Sequence, residues 1–266
     1  MAPLLLAAAY LHVPPRRIRA LASGSDAALA EWLQAGTSTK VAHARKKARD
    51  AAGRLRELGV SIVSYGENAY PEGLRDLEDA PAMLFVRGTL PQGGIALVGS
   101  RTPPPEAAQF AFELAARMNA AVISGLAAGI DAAAHRGALH GGRTTAAYIG
   151  CGLGITYPAD HRELEDAIVA QGGAIVSERL PDEPVTRWAL VRRDRLQAAH
   201  ARATVLVSSE LEGGAMHTLR FAAKLGRPRF VWPWFAGDAY AGNAQARSDG
   251  ASELPLDAPA AAKVLA

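Results

Sequence analysis

The sequence predicts an α/β protein with an extended Rossmann-like, doubly wound and mostly parallel sheet, preceded by a small helical domain. Three observations predict this class. Short apolar segments alternate with helix-patterned segments from residue 95 onward. Two stretches, at residues 95–101 and 122–135, pass from an apolar run through Gly and Ser into a helical pattern. The first 56 residues are rich in Ala and Leu and have helical spacing. Short strands that alternate with amphipathic helices are typical of a parallel sheet covered on both faces.

The N-terminal segment is predicted to be all helical. Ser25 and Asp26 are candidate N-caps, and helices are expected to break at Pro14, Pro15 and Gly36. The stretch at residues 40–58 is a basic helix. Its charges either form a solvated face, which is the more common case, or contact a nucleic-acid backbone.

The remaining elements follow from hydrophobic periodicity. We predict strands at residues 60–65, 83–86, 95–99, 121–124, 144–149, 174–177, 203–207 and 229–232. We predict helices at residues 106–118, 132–139, 161–171, 193–199 and 215–225. The predicted organisation is a helical domain at 1–56, the extended Rossmann domain at 57–256 and a short tail at 257–266.

Composition excludes some classes of function. The net charge is only +3, so the placement of individual arginines must indicate any nucleic-acid site. The single cysteine, Cys151, excludes an intrachain disulfide and a multi-cysteine zinc site, and we expect no metal and no cofactor. The apolar run near the N-terminus is too short to span a bilayer and lacks a basic start. We therefore expect a cytoplasmic protein with no membrane partner.

The first candidate site is the turn Gly99-Ser100-Arg101. Glycine permits close approach of a ligand to the backbone, serine offers a hydroxyl, and arginine donates to phosphate in a bidentate manner. The prolines that follow suit the first turn of a helix. A phosphate-binding turn is favoured here over a plain tight turn with an exposed arginine.

The second candidate site contains Ser124 and Gly125, followed by Gly129 and Asp131. Small residues before a helix N-terminus favour anion binding. Asp131 either contacts the ligand or caps the helix. His135 has no companion metal ligand at suitable spacing, so it is interpreted as a packing or capping residue.

Two further segments add donors to the same predicted edge of the sheet. Arg192, Arg193 and Arg195 create a local positive field, although Asp194 partly cancels it. Gly213, Gly214 and Thr218 lie at a Gly-rich opening into a helix and could add donors to an anion pocket.

These residues together resemble the DprA/Smf family of bacterial DNA-processing proteins. The resemblance runs over residues 59–255 and includes YPEGLRDLEDAPAMLFVRG, VGSR, SGLAAGIDAAAHRGAL and GGAIVSE. It implies an extended Rossmann fold that binds single-stranded DNA in a basic pocket, without sequence specificity, and it establishes no catalysed reaction. It also implies protection of incoming DNA, loading of the RecA recombinase during natural transformation and recombination, and a homodimer formed through the Rossmann domain.

The resemblance also assigns site residues. It places phosphate contacts on Gly99, Ser100, Arg101, Ser124 and Gly125, and a further basic residue at Arg143 before a central strand. It implies that the N-terminal helices are a SAM/HhH-like domain. It also implies a diverged member without the winged-helix-like module that many members carry at the C-terminus.

The chain departs from the family pattern in three places. The family's Arg-Asn-Arg is Arg193-Asp194-Arg195, and its Ser-Gly-Ser turn is Gly213-Gly214-Ala215. Ser208 and Ser209 stand where an acidic residue is usual.

Tyr148 and Tyr157 are the candidate residues for stacking on the bases of a bound strand.

Two alternatives remain open. One is a LOG-like nucleoside-monophosphate phosphoribohydrolase, whose Gly-rich turn is faintly similar to GGAMHTLR, although Arg220 and Phe221 occupy the region of its glutamate. The other is a nucleotide-binding paralogue, which the acidic Asp194 suggests.

Overall fold

The protein contains a single nine-stranded mixed sheet, described for residues 1–266 in a computed structural model. The strand order is β1-β2-β6-β5-β4-β3-β7-β8-β9. The strands are β1 (Val60–Ser64), β2 (Met83–Gly88), β3 (Gly94–Val98), β4 (Val122–Ser124), β5 (Thr145–Tyr148), β6 (Ala174–Ser177), β7 (Ala201–Leu206), β8 (Arg229–Val231) and β9 (Ser252–Glu253). Strands β3 to β9 are parallel, whereas β1 and β2 pair in antiparallel fashion at one end. The predicted α/β class with a mostly parallel sheet is confirmed.

Eleven helices accompany the sheet. They are α1 (Ala2–Tyr10), α2 (Pro15–Ala22), α3 (Ala27–Ala35), α4 (Thr39–Glu57), α5 (Pro105–Arg117), α6 (Ile130–His140), α7 (Arg162–Ala170), α8 (Arg187–His200), α9 (Ala215–Lys224), α10 (Ala241–Ser248) and α11 (Ala258–Val264). Three short 3-10 helices lie at Glu72–Asp76, Ala159–His161 and Asp238–Tyr240. No helix combines the length and the apolar character that crossing a membrane requires.

The central strands form because their apolar runs are buried on both faces, as parallel strands require. Every residue of β3 is buried. The largest core cluster joins residues of β3 and β7, including Leu97 and Val205, to α5 residues such as Phe110. Because β3, β4 and β7 are parallel, their carboxyl ends lie at the same edge of the sheet, and the turns that follow these strands meet there.

The N-terminal module, defined as α1 to α4, packs on the antiparallel end of the sheet. Asp26 caps α3 by accepting from the Leu29 N–H at 2.9 Å, as predicted, and Ser38 caps α4. The buried cluster of this module includes Met83 and Phe85 of β2, so the helices share one core with the sheet. The predicted boundary after residue 56 falls in the last turn of α4.

Four segments differ from the sequence prediction, and one of them is helix α10, which was not predicted. Helix α8 begins at Arg187 and not at residue 193, because the Thr186 hydroxyl accepts from the Ala189 N–H and caps it. Strand β9 was not predicted, since its two residues are exposed and polar. Residues 257–266 were predicted to be a short tail, but Asp257 caps α11, and Ala261 of this helix and its C-cap Leu265 enter the core beside α5.

Candidate functional site

A pocket of about 640 Å³ opens at the carboxyl edge of the parallel strands. Its walls come from the turn after β3, the start of α6, the first turns of α8 and the loop from β7 to α9. The lining residues are Val98, Gly99, Ser100, Arg101, Thr102, Ala127, Asp131, Tyr157, Val185, Thr186, Arg187, Leu190, Val191, Arg193, Asp194, Gln197, Ser209, Glu210, Glu212, Gly213, Gly214, Ala215, His217 and Thr218. This is the edge at which ligands bind in open parallel sheets.

The turn after β3 forms one wall of the pocket. A Cβ atom on Gly99 would lie 2.5 Å from Ile130 Cγ1 and 2.8 Å from the Ser208 carbonyl oxygen, so only glycine fits. The Ser100 hydroxyl accepts from the Thr102 N–H at 3.1 Å and shapes the turn. Arg101 is exposed and forms no ion pair, so its guanidinium is available to a ligand.

The N-terminus of α9 forms the opposite wall. Gly213, Gly214 and Ala215 line the pocket, and no side chain caps this helix end. The Met216 and His217 N–H groups donate to the Gly213 and Gly214 carbonyl oxygens, whereas the N–H groups of Gly214 and Ala215 have no backbone partner and lie at the positive end of the helix dipole. An anion can therefore be held between this helix end and the turn after β3.

The floor of the pocket contains an ion pair on α8. Arg193 Nε lies 2.9 Å from Asp194 Oδ1, and both side chains are buried. Arg193 also donates to the Tyr148 carbonyl oxygen. A Cβ atom on Gly125 would lie 1.8 Å from Arg193 Nη1, so glycine is needed for the guanidinium to lie against the backbone there. Gly125 thus accommodates Arg193 and does not line the pocket.

Two buried carboxyl groups flank this arginine. Burial raises the pKa of the Asp194 carboxyl to about 7; Arg193 opposes this shift and Asp131 adds to it. Burial also raises the pKa of Asp131, again opposed by Arg193. Asp131 Oδ2 accepts from the N–H groups of Gly125 at 3.1 Å and Ala127 at 3.3 Å. Asp131 therefore stabilises the turn from β4 to α6.

The pocket is less basic than the resemblance to the family implies. Its lining contains three arginines, Arg101, Arg187 and Arg193, and four carboxyl side chains, Asp131, Asp194, Glu210 and Glu212. Glu210 and Glu212 are exposed, whereas the two aspartates are buried at the floor. The site is therefore mixed in charge.

Arg192 and Arg195, both predicted to contact phosphate, do not line the pocket. Successive residues of a helix are rotated by about 100°, so these two side chains leave α8 on another face. Arg195 Nη1 lies 2.7 Å from Glu178 Oε1, and Arg195 is 3% exposed. Arg192 Nη2 lies 3.1 Å from Asp79 Oδ2. Both arginines are thus engaged in a structural ion-pair cluster.

Ser124 and Arg143 are also placed elsewhere. The buried Ser124 hydroxyl donates to the Leu97 carbonyl oxygen at 2.7 Å, so it ties β4 to β3 behind the pocket. Arg143 lies in the turn between α6 and β5, at the amino edge of the sheet. The amino edge is the far end of the parallel strands, so Arg143 lies apart from the pocket.

The predicted residues that the pocket does bring together are Gly99, Ser100, Arg101, Arg193, Gly213, Gly214 and Thr218. Of the two tyrosines, Tyr157 lines the pocket and is 39% exposed. Tyr148 is fully buried, and its hydroxyl lies 2.9 Å from His200 Nδ1, so it offers no stacking surface.

Sequence reasoning missed several lining residues. Arg187 and Val191 were missed because the start of α8 was predicted six residues too late; Thr186, a capping residue type, was the available signal. Gln197 lies two turns further along the same helix, and no motif distinguishes it. His135 is a packing residue, with Nδ1 2.7 Å from Thr145 Oγ1, and burial lowers its pKa to about 3.

The fold and the pocket define the class of protein. It is a Rossmann-like α/β protein whose pocket lies at the carboxyl edge of a parallel sheet, between a Gly-Ser-Arg turn and an uncapped helix N-terminus. The family model for DNA recombination-mediator protein A matches residues 61–261. The chain belongs to this family, and the predicted DprA/Smf resemblance is confirmed.

Two curated relatives give the extent of the similarity. The DNA processing protein DprA of Streptococcus pneumoniae is 32% identical over 174 residues, which cover 63% of this chain and 61% of the relative. Protein Smf of Escherichia coli is 31% identical over 195 residues, which cover 71% of this chain and 52% of the relative. The chain thus spans between half and two thirds of the length of these relatives.

Solved structures agree with the fold. DprA from Streptococcus pneumoniae has a TM-score of 0.68 at 26% identity and covers 84% of this chain and 81% of its own. DprA from Helicobacter pylori has a TM-score of 0.63 at 27% identity, with coverages of 73% and 90%. The Helicobacter pylori structure is described for its single-stranded DNA binding mode.

Proposed function

We propose that this protein binds single-stranded DNA through the sugar–phosphate backbone at the carboxyl-edge pocket. The observation that carries the proposal is the pairing of the Arg101 turn with the uncapped N-terminus of α9 across one pocket, in a member of a family whose Helicobacter pylori relative is described for this binding. Backbone phosphates accept from guanidinium groups and from free N–H groups.

Arg101 and Arg187 supply the positive charge of this site that is accessible to a ligand. Both are exposed, both line the pocket, and neither forms an ion pair. Arg193 acts differently, because its guanidinium is buried and already paired with Asp194. Phosphate contacts carry no sequence information, so binding is expected to be independent of sequence and to weaken with salt.

The exposed Tyr157, at the rim of the pocket, is the residue that would contact the bases. An exposed aromatic ring stacks on a base of any sequence, which single strands offer and duplexes do not. This arrangement favours single strands over duplex DNA.

The proposal extends to the partners that the resemblance implies. The protein would help load RecA onto the bound strand in natural transformation and recombination, and would form a homodimer through the Rossmann domain. Light scattering of the purified chain measures the dimer. Comigration with RecA on size-exclusion chromatography, with and without an oligonucleotide, measures the RecA contact.

The binding test is a fluorescence anisotropy titration with labelled single-stranded and duplex oligonucleotides at several salt concentrations. The Arg101→Ala plus Arg187→Ala variant is expected to bind single strands at least tenfold more weakly. Arg143→Ala is the matched control, since it removes an arginine at the opposite edge of the sheet. Undiminished binding by the double variant would reject the pocket as the DNA site.

A mononucleotide is the second candidate ligand. The observation that favours it is the floor of the pocket, which is rich in hydrogen-bond acceptors. Gln197 is 1% exposed there; its Nε2 atom donates to Asp194 Oδ1, and its Oε1 atom has no hydrogen-bond partner. Such acceptors suit ribose hydroxyls or the amino group of a base. Thermal shift with a nucleotide panel detects such binding, and release of adenine from AMP tests the LOG-like reaction.

A further inference from the structure

The positive charge of this protein is concentrated in the N-terminal module and not around the pocket. Residues 1–57 contain ten Lys and Arg against four Asp and Glu, a net charge of +6. Residues 58–266 contain nineteen Lys and Arg against twenty-two Asp and Glu, a net charge of −3. The small overall charge of +3 therefore hides two parts of opposite sign.

Helix α4 carries most of this excess. It has seven Lys and Arg against two acidic residues over 19 residues. Five of the cations form what we call the α4 basic face: Lys40, Lys46, Lys47, Arg49 and Arg56 are exposed, and none forms an ion pair. Lys46 and Arg49 are one helical turn apart and repel each other, and Asp50 is the one acidic residue spaced a turn from Lys46 and Lys47.

From these observations we infer that the α4 basic face is a second binding surface for the sugar–phosphate backbone of nucleic acid. A polyanion would remove the repulsion along the helix and release its own counterions. The helix is roughly 28 Å long, so several phosphates can lie along it. The inference goes beyond the pocket and does not depend on the residues that line it.

The position of α4 supports continuity with the pocket. Arg54, in the last turn of α4, pairs with Asp182 at 2.6 Å, three residues before the pocket residue Val185. Leu153 and Leu180, from loops that leave the same sheet edge, pack against the core of the N-terminal module. The last turn of α4 therefore lies near the pocket.

A bilayer surface fits this helix less well. Helices that bind in the membrane interface insert an apolar face between lipids. In α4 that face is already occupied, since Val41, Ala48 and Leu55 are buried in the protein core. Nucleic acid requires only the charged face and is therefore the occupant that the structure favours.

The first test compares two charge-matched variants by anisotropy titration with a labelled single-stranded oligonucleotide. One variant is Lys46→Gln, Lys47→Gln and Arg49→Gln. The control is Lys224→Gln, Arg229→Gln and Lys263→Gln, which removes three cations from the far side of the Rossmann domain. Each lost phosphate contact lowers the slope of log affinity against log salt by about 0.7, so the α4 variant should lose about two from this slope. Its affinity at low salt should fall at least tenfold, and that of the control less than twofold.

The outcomes separate this inference from the proposed pocket. Loss of binding in the α4 variant with full binding by the Arg101→Ala plus Arg187→Ala variant would retain the α4 basic face and reject the pocket. Wild-type affinity in the α4 variant, or equal losses in both charge variants, would overturn the inference. Binding to phosphatidylglycerol vesicles that the α4 variant loses, with unchanged oligonucleotide binding, would also overturn it.

A second test uses the small number of lysines. The chain has five, of which Lys40, Lys46 and Lys47 lie on α4, whereas Lys224 and Lys263 lie in the Rossmann domain. Labelling with an amine-reactive reagent, with and without the oligonucleotide, is measured by mass spectrometry. Protection restricted to the α4 lysines supports the inference, and unchanged labelling of these three contradicts it.

Discussion

Arg193 and Asp194 are consecutive residues of α8 whose side chains pair at 2.9 Å on the floor of the pocket. The pair places a buried carboxyl group directly beneath the proposed phosphate site. Burial raises the pKa of Asp194 to about 7, so its charge changes near neutral pH. Both the stability of the protein and its affinity for anions should therefore depend on pH through this residue.

The stability of the protein should depend on pH through Asp194. The folded-state pKa of Asp194 lies above its unfolded value, so the neutral carboxyl stabilises the fold fully below the unfolded pKa, and this contribution is lost as pH rises through about 7. The Asp194→Asn variant stays neutral throughout. Its melting temperature relative to wild type should be higher at pH 8 than at pH 5, as measured by scanning calorimetry. A pH-independent difference would show that Asp194 does not titrate there.

The same substitution should change affinity for single-stranded DNA. Removal of a negative charge under the site should strengthen binding at pH 8 by roughly threefold to tenfold, the effect of about 1 kcal/mol. At pH 6 the wild-type carboxyl is mostly protonated, so the two proteins should bind alike. Titrations at both pH values measure this, and an equal gain at pH 6 and pH 8 would contradict the assignment.

Gly125→Ala should destabilise the protein. The added methyl would lie 1.8 Å from Arg193 Nη1 and displace the guanidinium from the backbone of residue 125. This should lower the free energy of unfolding by about 1–3 kcal/mol. Gly214→Ala is the matched control, because nothing lies within 4 Å of its Cβ position. Urea denaturation measures both variants. Equal stability of the two variants would mean that the Arg193 side chain relocates freely.

Arg195→Ala should lower stability and leave DNA affinity per folded molecule unchanged. The substitution leaves Glu178, whose side chain is 13% exposed, with only Arg192 at 3.4 Å, and loss of one partner of a buried pair costs about 3–5 kcal/mol. Arg101→Ala should show the reverse pattern, because Arg101 is exposed and has no ion pair. Weaker binding by fully folded Arg195→Ala would restore the role that the sequence predicts for this residue.

Leu265→Ala should destabilise the fold by about 2–5 kcal/mol, because it truncates a buried side chain. Leu265 is 4% exposed and belongs to the main core cluster beside α5. Val264→Ala is the control, since Val264 is 52% exposed. Thermal unfolding of both variants decides whether α11 is part of the domain, as the structure has it, or a tail.

Periodicity located eight of the nine strands, because a strand buried on both faces must be a continuous apolar run. It missed β9, since two exposed residues at the end of a sheet leave no pattern. The start of α8 was misplaced because the apolar pattern of this helix is weak; its buried positions include Arg193, Asp194 and Arg195. The buried charges pair with residues distant in sequence, as Arg195 does with Asp79, and periodicity does not reveal such partners.

By itself, the sequence determined the α/β class, the family and the turns that reach the carboxyl edge of the sheet, because apolar spacing and turn residues are local properties. Only the tertiary structure decided which arginines reach the pocket. Side chains of one short run leave a helix in different directions, so Arg193 turns to the floor while Arg195 turns to Glu178. The direction of a charged side chain depends on the carboxylates that surround it in space, and neighbours along the chain do not specify them.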